Sequence, residues 1–159
     1  NIYEDGKSPL ILVLDRITDV RNFGAIARTA ECSNVDCIIV PEQNSAAINS
    51  DAMKTSSGAL NNIKICRTWN LKMTLQMLKD SGIQIVSCTE KTNNEIYSVN
   101  YQIPTAIILG SEENGISNEF LKLSDEKVKI PILGNIESLN VSVACGVILY
   151  EIVRQRLSL

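Results

Sequence analysis

Histidine is absent from this 159-residue chain, and aromatic residues make up only 4% of it. Without histidine, neither a Ser-His nor a Cys-His nucleophile pair can form, and no histidine can act as a general base. The five cysteines include no CxxC pair, so we expect no zinc site and interpret them as core thiols of a reducing cytoplasm. We expect no secretory signal, because no basic-then-apolar leader is visible. No apolar run approaches the roughly 20 residues that span a bilayer. The expected protein is cytoplasmic, with no metal and no membrane partner.

Two common nucleotide-binding motifs are also missing. No GxGxxG occurs anywhere in the chain, so an ordinary dinucleotide site is unsupported. The segment GSEENGIS at 110–117 has the glycine spacing of a phosphate loop, but Ile116 stands where that loop needs lysine. Its two glutamates would repel a triphosphate, which argues against nucleotide hydrolysis. The net charge of −3 argues against a large non-specific nucleic-acid footprint, so any RNA contacts should be local.

The hydrophobic pattern predicts one α/β domain with a parallel sheet and helices on both faces. Apolar runs bounded by turn residues alternate with stretches of helical spacing, which is the pattern of a doubly covered parallel sheet. The predicted strands are 10–14, 36–40, 63–66, 83–89, 105–109 and 128–130. The predicted helices are 25–32 with Asp19 or Asn22 as cap, a short helix near 51–56, 69–79, 117–123 with Ser117 as cap, and a last helix capped by Asn140.

Three polar stretches follow predicted strands, where ligands of parallel sheets bind. Asn22 and Arg28 come after the first strand, and an arginine on an apolar helix is suited to hold a phosphate or carboxylate. The loop at 110–117 comes after the fifth strand, and Ser138 and Asn140 precede the last helix. Each stretch also has a plain structural interpretation, as a helix cap with a surface arginine, a glycine-rich turn, or a capped core helix. Taken singly, none of them decides between the two interpretations.

In their order and spacing the three stretches resemble the three motifs of the SpoU (TrmH-like) family of RNA 2′-O-ribose methyltransferases. The first motif appears as DRITDVRNFGAIARTA from Asp15 to Ala30, and the second as IILGSEENGI from Ile107 to Ile116. The third appears as IPILGNIESLNVSVA from Ile130 to Ala144. The resemblance covers nearly the whole chain. It departs from the family pattern at Val20, where proline is common, and at Glu113-Asn114, which replace a glycine-containing pair.

The resemblance implies a fold and a cofactor. The fold is an α/β sheet whose C-terminal segment forms a deep trefoil knot of the SPOUT type, an exception to the rule against knots. The cofactor is S-adenosyl-L-methionine. The residues implied to surround this cofactor are Thr89, Leu109, Gly110, Ile130, Ile132 and Leu139. Irregular backbone in these loops offers unpaired N–H and C=O groups, and the apolar side chains offer a slot for the adenine ring.

The resemblance also implies a reaction, in which a ribose 2′-oxygen of RNA attacks the sulfonium methyl. A ribose hydroxyl is a poor nucleophile, so the site must stabilise the developing alkoxide or remove its proton. Family members assign this role to the arginine that corresponds to Arg28. Since an arginine side chain ordinarily stays protonated, we favour electrostatic orientation of the 2′-oxygen and a neighbouring phosphate. The residues implied to position ribose, cofactor and arginine are Asn22, Glu112, Ser138 and Asn140.

Further expectations concern substrate, domains and assembly. The segment around 46–58 and the VRQR near the end look most like the branch that methylates a guanosine of 23S ribosomal RNA. That branch usually carries an N-terminal RNA-binding domain, which we expect to lie outside this single catalytic domain of residues 1–159. The alternatives are a transfer RNA ribose methyltransferase, a catalytically weak RNA-binding module, and an unrelated flavodoxin-like ligand domain. The apolar last helix predicts a homodimer that pairs these helices across a two-fold axis.

Overall fold

The computed structural model describes residues 8–43 and 62–158, and in them six parallel strands form one sheet. The strands are β1 (Leu10–Asp15), β2 (Cys37–Pro41), β3 (Lys64–Thr68), β4 (Gln84–Cys88), β5 (Thr105–Gly110) and β6 (Glu126–Val128). Their order across the sheet is β3-β2-β1-β5-β4-β6. β1 and β5 lie at the centre and are buried along almost their whole length, as their continuous apolar runs predicted. All strand carboxyl ends therefore meet at one edge of the sheet.

In the described part of the chain, four α-helices cover the two faces of this sheet. They are α1 (Val20–Cys32), α2 (Leu71–Asp80), α3 (Asn118–Leu123) and α4 (Val141–Leu157). One core cluster joins α1 and α4 to the face of β1 that carries Leu10, Leu12 and Leu14. The other joins α2 and α3 to the face that carries Ile11 and Val13. The predicted parallel sheet with helices on both faces is confirmed.

Several predicted element boundaries were wrong. α1 begins at Val20 instead of Ala25, because the Asp19 carboxylate accepts a hydrogen bond from the Asn22 N–H at 2.9 Å and caps the helix. Asn22 is thus a residue of the first helical turn and not the cap. α2 likewise begins at Leu71 with Asn70 as its cap, so the predicted start at Trp69 was wrong too. The helix predicted near 51–56 lies outside the described residues.

The last strand was predicted at 128–130, whereas β6 spans Glu126–Val128. The predicted cap of α3, Ser117, does occupy the N-cap position. β6 ends at Val128, because the backbone of Lys129 turns to the loop after β4, where its N–H bonds the Asn94 carbonyl at 2.8 Å. Ser117 stands at the N-cap position of α3, but its side chain makes no capping hydrogen bond. Its hydroxyl donates instead to the buried carboxylate of Asp15 at 2.8 Å. A hydrogen bond to a charged acceptor is stronger than one between neutral groups, so Asp15 sets the orientation of this side chain.

The C-terminal end of α4 is fastened to the loop between β4 and β5. Gln155 accepts from the Tyr101 N–H at 2.8 Å and donates to the Val99 carbonyl at 2.9 Å. Arg156 donates to the carbonyls of Tyr101 at 3.0 Å and Ser8 at 2.8 Å, and partial burial lowers the pKa of its guanidinium.

None of the helices in the described residues is long and apolar enough to cross a membrane.

The cysteines should differ sharply in reactivity toward iodoacetamide. Burial raises the pKa of Cys88 and of Cys145 to about 12, so thiolate is scarce at both sites, and Cys145 is also buried from solvent. Cys32 is exposed at the end of α1. We expect Cys32 to be alkylated first at pH 8, and Cys88 and Cys145 only after unfolding in guanidinium, as peptide mass spectrometry can measure. Equal labelling of all three thiols in the folded chain would contradict this placement.

Candidate functional site

A cavity of about 560 Å³ opens at the carboxyl edge of the sheet, bounded by the ends of β4 and β5 and by the segment that leads to α4. We call it the first cavity. All six residues predicted to surround a cofactor line it, namely Thr89, Leu109, Gly110, Ile130, Ile132 and Leu139. Its rim adds charged residues of both signs, Glu90, Lys91, Glu112, Lys129 and Glu137. The cavity therefore combines an apolar slot with polar groups, as small-molecule sites do.

The turn that forms one wall of this cavity depends on a close backbone approach at Gly110. A Cβ atom at that position would lie 2.3 Å from the carbonyl carbon of Gly115. The turn closes through a 2.8 Å hydrogen bond from the Gly115 N–H to the Ser111 carbonyl, and Gly115 has a φ of +64°. Only glycine fits the first position, and glycine is strongly preferred at the second. The two glycines of the second motif thus shape the cavity wall that carries Glu112.

A second cavity of about 430 Å³ adjoins the first. The two share the wall of residues 111–114 and Val141. Its other lining comes from the segment between β1 and the first turn of α1, namely Arg16, Ile17, Thr18, Asp19 and Asn22. One loop thus separates two spaces that together could hold two reacting molecules side by side.

Three of the predicted site residues meet at the junction of the two cavities. The Asn140 side-chain amide donates to Glu112 Oε1 at 2.9 Å and to Asn22 Oδ1 at 3.3 Å. The same Glu112 oxygen accepts from the Val141 N–H at 3.1 Å, at the start of α4. Asn140 in turn caps α4 by accepting from the Ser142 N–H at 3.0 Å. All three motifs are therefore joined through Glu112 and Asn140.

The two remaining predicted residues are Ser138 and Arg28. Ser138 is exposed and lines the first cavity two residues before Asn140. Arg28 is exposed on α1 and belongs to the lining of neither cavity. It follows Asn22 by six residues, which is about 9 Å along a helix axis. The hydrogen bonds described above join Asn22, Glu112 and Asn140.

Two residues at the end of β1, Asp15 and Arg16, hold the loop of the second motif and were not among the predicted site residues. The buried Asp15 carboxylate accepts from the Ser117 N–H at 2.7 Å. Arg16 donates to the Gly115 carbonyl at 3.0 Å, and its Nε lies 3.6 Å from Asp15 Oδ1. The sequence did contain a signal for this pair. Asp15 and Arg16 directly follow the apolar run 10–14, and charged residues are rarely buried unless they are paired. These contacts fix the loop from which Glu112 reaches α4.

The described residues contain no group of three or more His, Cys, Asp or Glu side chains placed to hold a metal ion. The fold is thus that of a parallel α/β protein, with two adjoining cavities at the carboxyl edge where proteins of this class bind ligands. The chain belongs to the SpoU rRNA Methylase family, whose model matches residues 9–150.

Curated relatives resemble nearly the whole of this chain. The 23S rRNA (guanosine-2′-O-)-methyltransferase RlmB of Yersinia pestis is 38% identical over 155 residues, which is 98% of this chain and 63% of that protein. The protein of the same name from Vibrio parahaemolyticus is 39% identical over 158 residues, 99% of this chain and 64% of its own length. The chain thus spans less than two thirds of the length of these relatives.

Solved structures agree in fold. The SpoU methyltransferase AviRb of Streptomyces viridochromogenes, solved in complex with the cofactor AdoMet, matches with a TM-score of 0.88 at 28% identity over 96% of this chain and 62% of that one. The TrmH/SpoU tRNA modifying enzyme of A. aeolicus matches with a TM-score of 0.87 at 33% identity over 96% of this chain and 77% of that one.

Proposed function

We propose that this chain transfers a methyl group from S-adenosylmethionine to a ribose 2′-hydroxyl of RNA, with a guanosine of 23S ribosomal RNA as the substrate. The observation that carries the proposal is the pair of adjoining cavities whose shared wall bears Glu112. Methyl transfer needs donor and acceptor side by side in one fixed geometry. The family membership and the names of the relatives support the reaction and the substrate.

The first cavity fits the cofactor by size and by lining. At about 560 Å³ it lies within the range of small-molecule sites. Ile130, Ile132 and Leu139 would pack on the adenine ring, and the carboxylates of the rim would oppose the positive sulfonium and amino groups. When bound, the cofactor supplies an electrophilic methyl group.

The residues of the chain then orient the acceptor and exclude water. Asn140 is held between Glu112, which lines both cavities, and Asn22, which lines the second. Its position suits contact with a ribose that enters through the second cavity. We infer that Arg28 orients the 2′-oxygen and stabilises its developing negative charge, and that Ser138 contacts the cofactor from the first cavity. Such preorganised donors are a large source of catalytic stabilisation.

Cofactor binding is the first test of this proposal. Calorimetric titration of the chain with S-adenosylmethionine or S-adenosylhomocysteine should show binding that is unaffected by EDTA. Ile130→Asp should weaken this binding at least about tenfold, because a charge in the apolar slot is left without a partner. Ile103→Asp, at an exposed isoleucine that does not line the cavity, is the matched control. Tight NADH or ATP binding with no signal for either methionine derivative would refute the proposal.

The RNA substrate can be identified by incubating the protein with labelled S-adenosylmethionine and either ribosomal or transfer RNA. The similarity to a tRNA modifying enzyme at 33% identity keeps a transfer RNA ribose as the second candidate. Label in 23S ribosomal RNA, mapped to one guanosine, supports the first candidate, and label in transfer RNA alone supports the second. Cofactor binding without transfer to either RNA would favour a catalytically weak RNA-binding module.

We further propose that the active form is a homodimer paired through α4. Val143 and Tyr150 are about half exposed on α4, and Leu133 and Ile136 of the segment before it are 98% and 78% exposed. Val143 and Tyr150 are seven residues apart and lie on one face of α4. Large exposed apolar patches mark interaction sites. A two-fold pairing would also allow Arg28 of one subunit to act at the cavities of the other.

The dimer is tested with glutamate at a residue on the surface of α4. Ile148 is fully buried, so a charge there would unfold the chain, whereas Val143 is 51% exposed. Val143→Glu should halve the mass in sedimentation and lower methyl transfer. In a two-fold symmetric interface the substitution is present on both subunits, so its effect occurs twice. Met77→Glu, at a 63% exposed residue of α2 on the opposite face, is the matched control and should change neither. A fully active monomer of the unaltered chain at assay concentration would contradict the dimer.

We also propose that residues 129–158 pass through the loop between β4 and β5 as a trefoil knot. That loop contacts the segment at both ends. Lys129 exchanges backbone hydrogen bonds with Asn94 and Ile96 at 2.8 and 2.9 Å. Gln155 bonds Val99 and Tyr101 at the far end of α4. The loop between β4 and β5 is thus hydrogen-bonded to both ends of the segment, which supports the proposed threading.

A further inference from the structure

The second cavity has a lining that the proposed reaction leaves unexplained. Its position beside the first cavity makes it the space where the target nucleotide would lie, so the inference below rests on the proposed function. The wall common to both cavities is formed by Ser111, Glu112, Glu113, Asn114 and Val141. A ribose at this wall would leave its base inside the second cavity.

The charge of the lining disfavours a phosphate and favours a hydrogen-bond donor. Asp19, Glu112 and Glu113 all line the cavity, and Arg16 is the one cation among the described residues that do so. Asp19 uses Oδ1 to cap α1, and Glu112 uses Oε1 for Asn140 and Val141. Glu113 is exposed on the turn and lines both cavities. Its carboxylate is therefore placed to accept from a ligand in the second cavity.

Arg16, which also lines this cavity, has an unusual backbone conformation. Its φ is +62°, in the left-handed region that side chains with a Cβ rarely adopt. Its Nη2 is fixed by the Gly115 carbonyl at 3.0 Å, while its buried Nε makes no hydrogen bond among the described residues. Residues with strained backbone conformations cluster at functional sites, where the surrounding structure holds them in that conformation. The guanidinium thus supplies a fixed donor in the lining of this cavity, next to the turn that carries Glu113.

We propose that the second cavity holds the base of the target nucleotide and selects guanine through Glu113 and Arg16. Guanine presents two adjacent donors, N1–H and the N2 amino group, which match the two oxygens of one carboxylate. Its O6 and N7 acceptors match an arginine, the commonest partner of guanine in nucleic-acid recognition. Adenine has an acceptor at N1 and no 2-amino group, and each pyrimidine presents a single donor to a carboxylate. Enzymes that modify nucleotides read extruded bases by such contacts.

The first test measures base binding without any methyl transfer. The ¹⁵N-labelled protein, saturated with S-adenosylhomocysteine, is titrated with the 5′-monophosphates of guanosine, inosine and adenosine. We expect guanosine monophosphate to shift the amide signals of residues 16–22 and 111–114. Inosine lacks the 2-amino group and should bind about tenfold more weakly, the cost of one hydrogen bond to a charged acceptor.

Variants then assign the contact to Glu113. Glu113→Gln should lower the affinity for guanosine monophosphate about tenfold, to about the affinity for inosine monophosphate. Glu119→Gln, at an exposed residue of α3 that lines neither cavity, is the matched control and should change nothing. Equal binding of adenosine and guanosine monophosphates at these signals would overturn the proposal. Unchanged discrimination in Glu113→Gln would overturn it as well.

The second test uses an RNA that the protein methylates. Replacing its target guanosine with inosine should lower kcat/KM about tenfold for the unaltered protein and leave Glu113→Gln without a further loss. If inosine is accepted as well as guanosine by the unaltered protein, the base proposal fails while the methyltransferase function stands. If no RNA is methylated, the methyltransferase function fails, and the monophosphate titration still decides the base proposal.

Discussion

Replacing Arg28 with alanine should lower methyl transfer at least about a hundredfold, the scale of losing one preorganised donor to a developing negative charge. Cofactor binding and the free energy of unfolding should change little. Arg28 is exposed, it lies outside the lining of the first cavity, and alanine is the best helix former. Single-turnover transfer of labelled methyl measures the first effect, and calorimetry and urea unfolding measure the other two.

Two comparisons sharpen this test. Arg28→Lys should rescue little, because an ammonium does not reproduce the planar fork of a guanidinium. Arg67→Ala, at an exposed arginine of β3 on the far edge of the sheet, is the matched control for loss of a positive charge. Near-normal turnover in Arg28→Ala would remove the arginine from the mechanism. Mixing inactive Arg28→Ala and Asn140→Ala proteins should restore some activity if the two residues act across a dimer interface.

Gly110→Ala should both destabilise the fold and abolish cofactor binding. The added Cβ would lie 2.3 Å from the Gly115 carbonyl carbon and 2.5 Å from the Ile116 nitrogen, and both of these are backbone atoms that no rotamer change can move. Overpacking of this kind costs about 1–3 kcal/mol of the free energy of unfolding, and a backbone clash belongs at the upper end. The shift would displace the wall that carries Glu112.

Gly134→Ala is the matched control, because a Cβ there would meet nothing within 4 Å. Urea unfolding should show the loss of stability for Gly110→Ala alone, and calorimetry with S-adenosylhomocysteine should show binding for Gly134→Ala alone. Gly110→Ala with wild-type stability and affinity would show that the turn at 110–115 can open without cost.

Local patterns predicted the central elements well and the peripheral ones less well. β1 and β5 are continuous apolar runs, so burial on both faces was readable from composition alone. β6 has only three residues, and its end depends on a competing partner, Asn94, far away in the chain. The start of α1 was uncertain between Asp19 and Asn22, since both residue types cap helices and only the backbone geometry distinguishes them.

Some of the site residues could likewise be predicted from the local sequence, whereas others could not. Glycines 110 and 115 were visible as a tight turn at a strand end, and the six residues predicted to surround a cofactor all line the first cavity. Asp15 and Arg16 were missed as a functional pair, because their partners Ser117 and Gly115 are about 100 residues away. The positive φ of Arg16 leaves no trace in the residue type.

By itself the sequence determined the alternation of strands and helices, the parallel sheet, and the three polar stretches at its carboxyl edge. These follow from periodicity, capping and turn preferences, which act over a few residues. The contacts of Asn140 with Glu112 and Asn22, which precede it by 28 and 118 residues, became visible only in the folded chain. Such contacts depend on strand order and on the packing of α4 against α1, which local interactions do not specify.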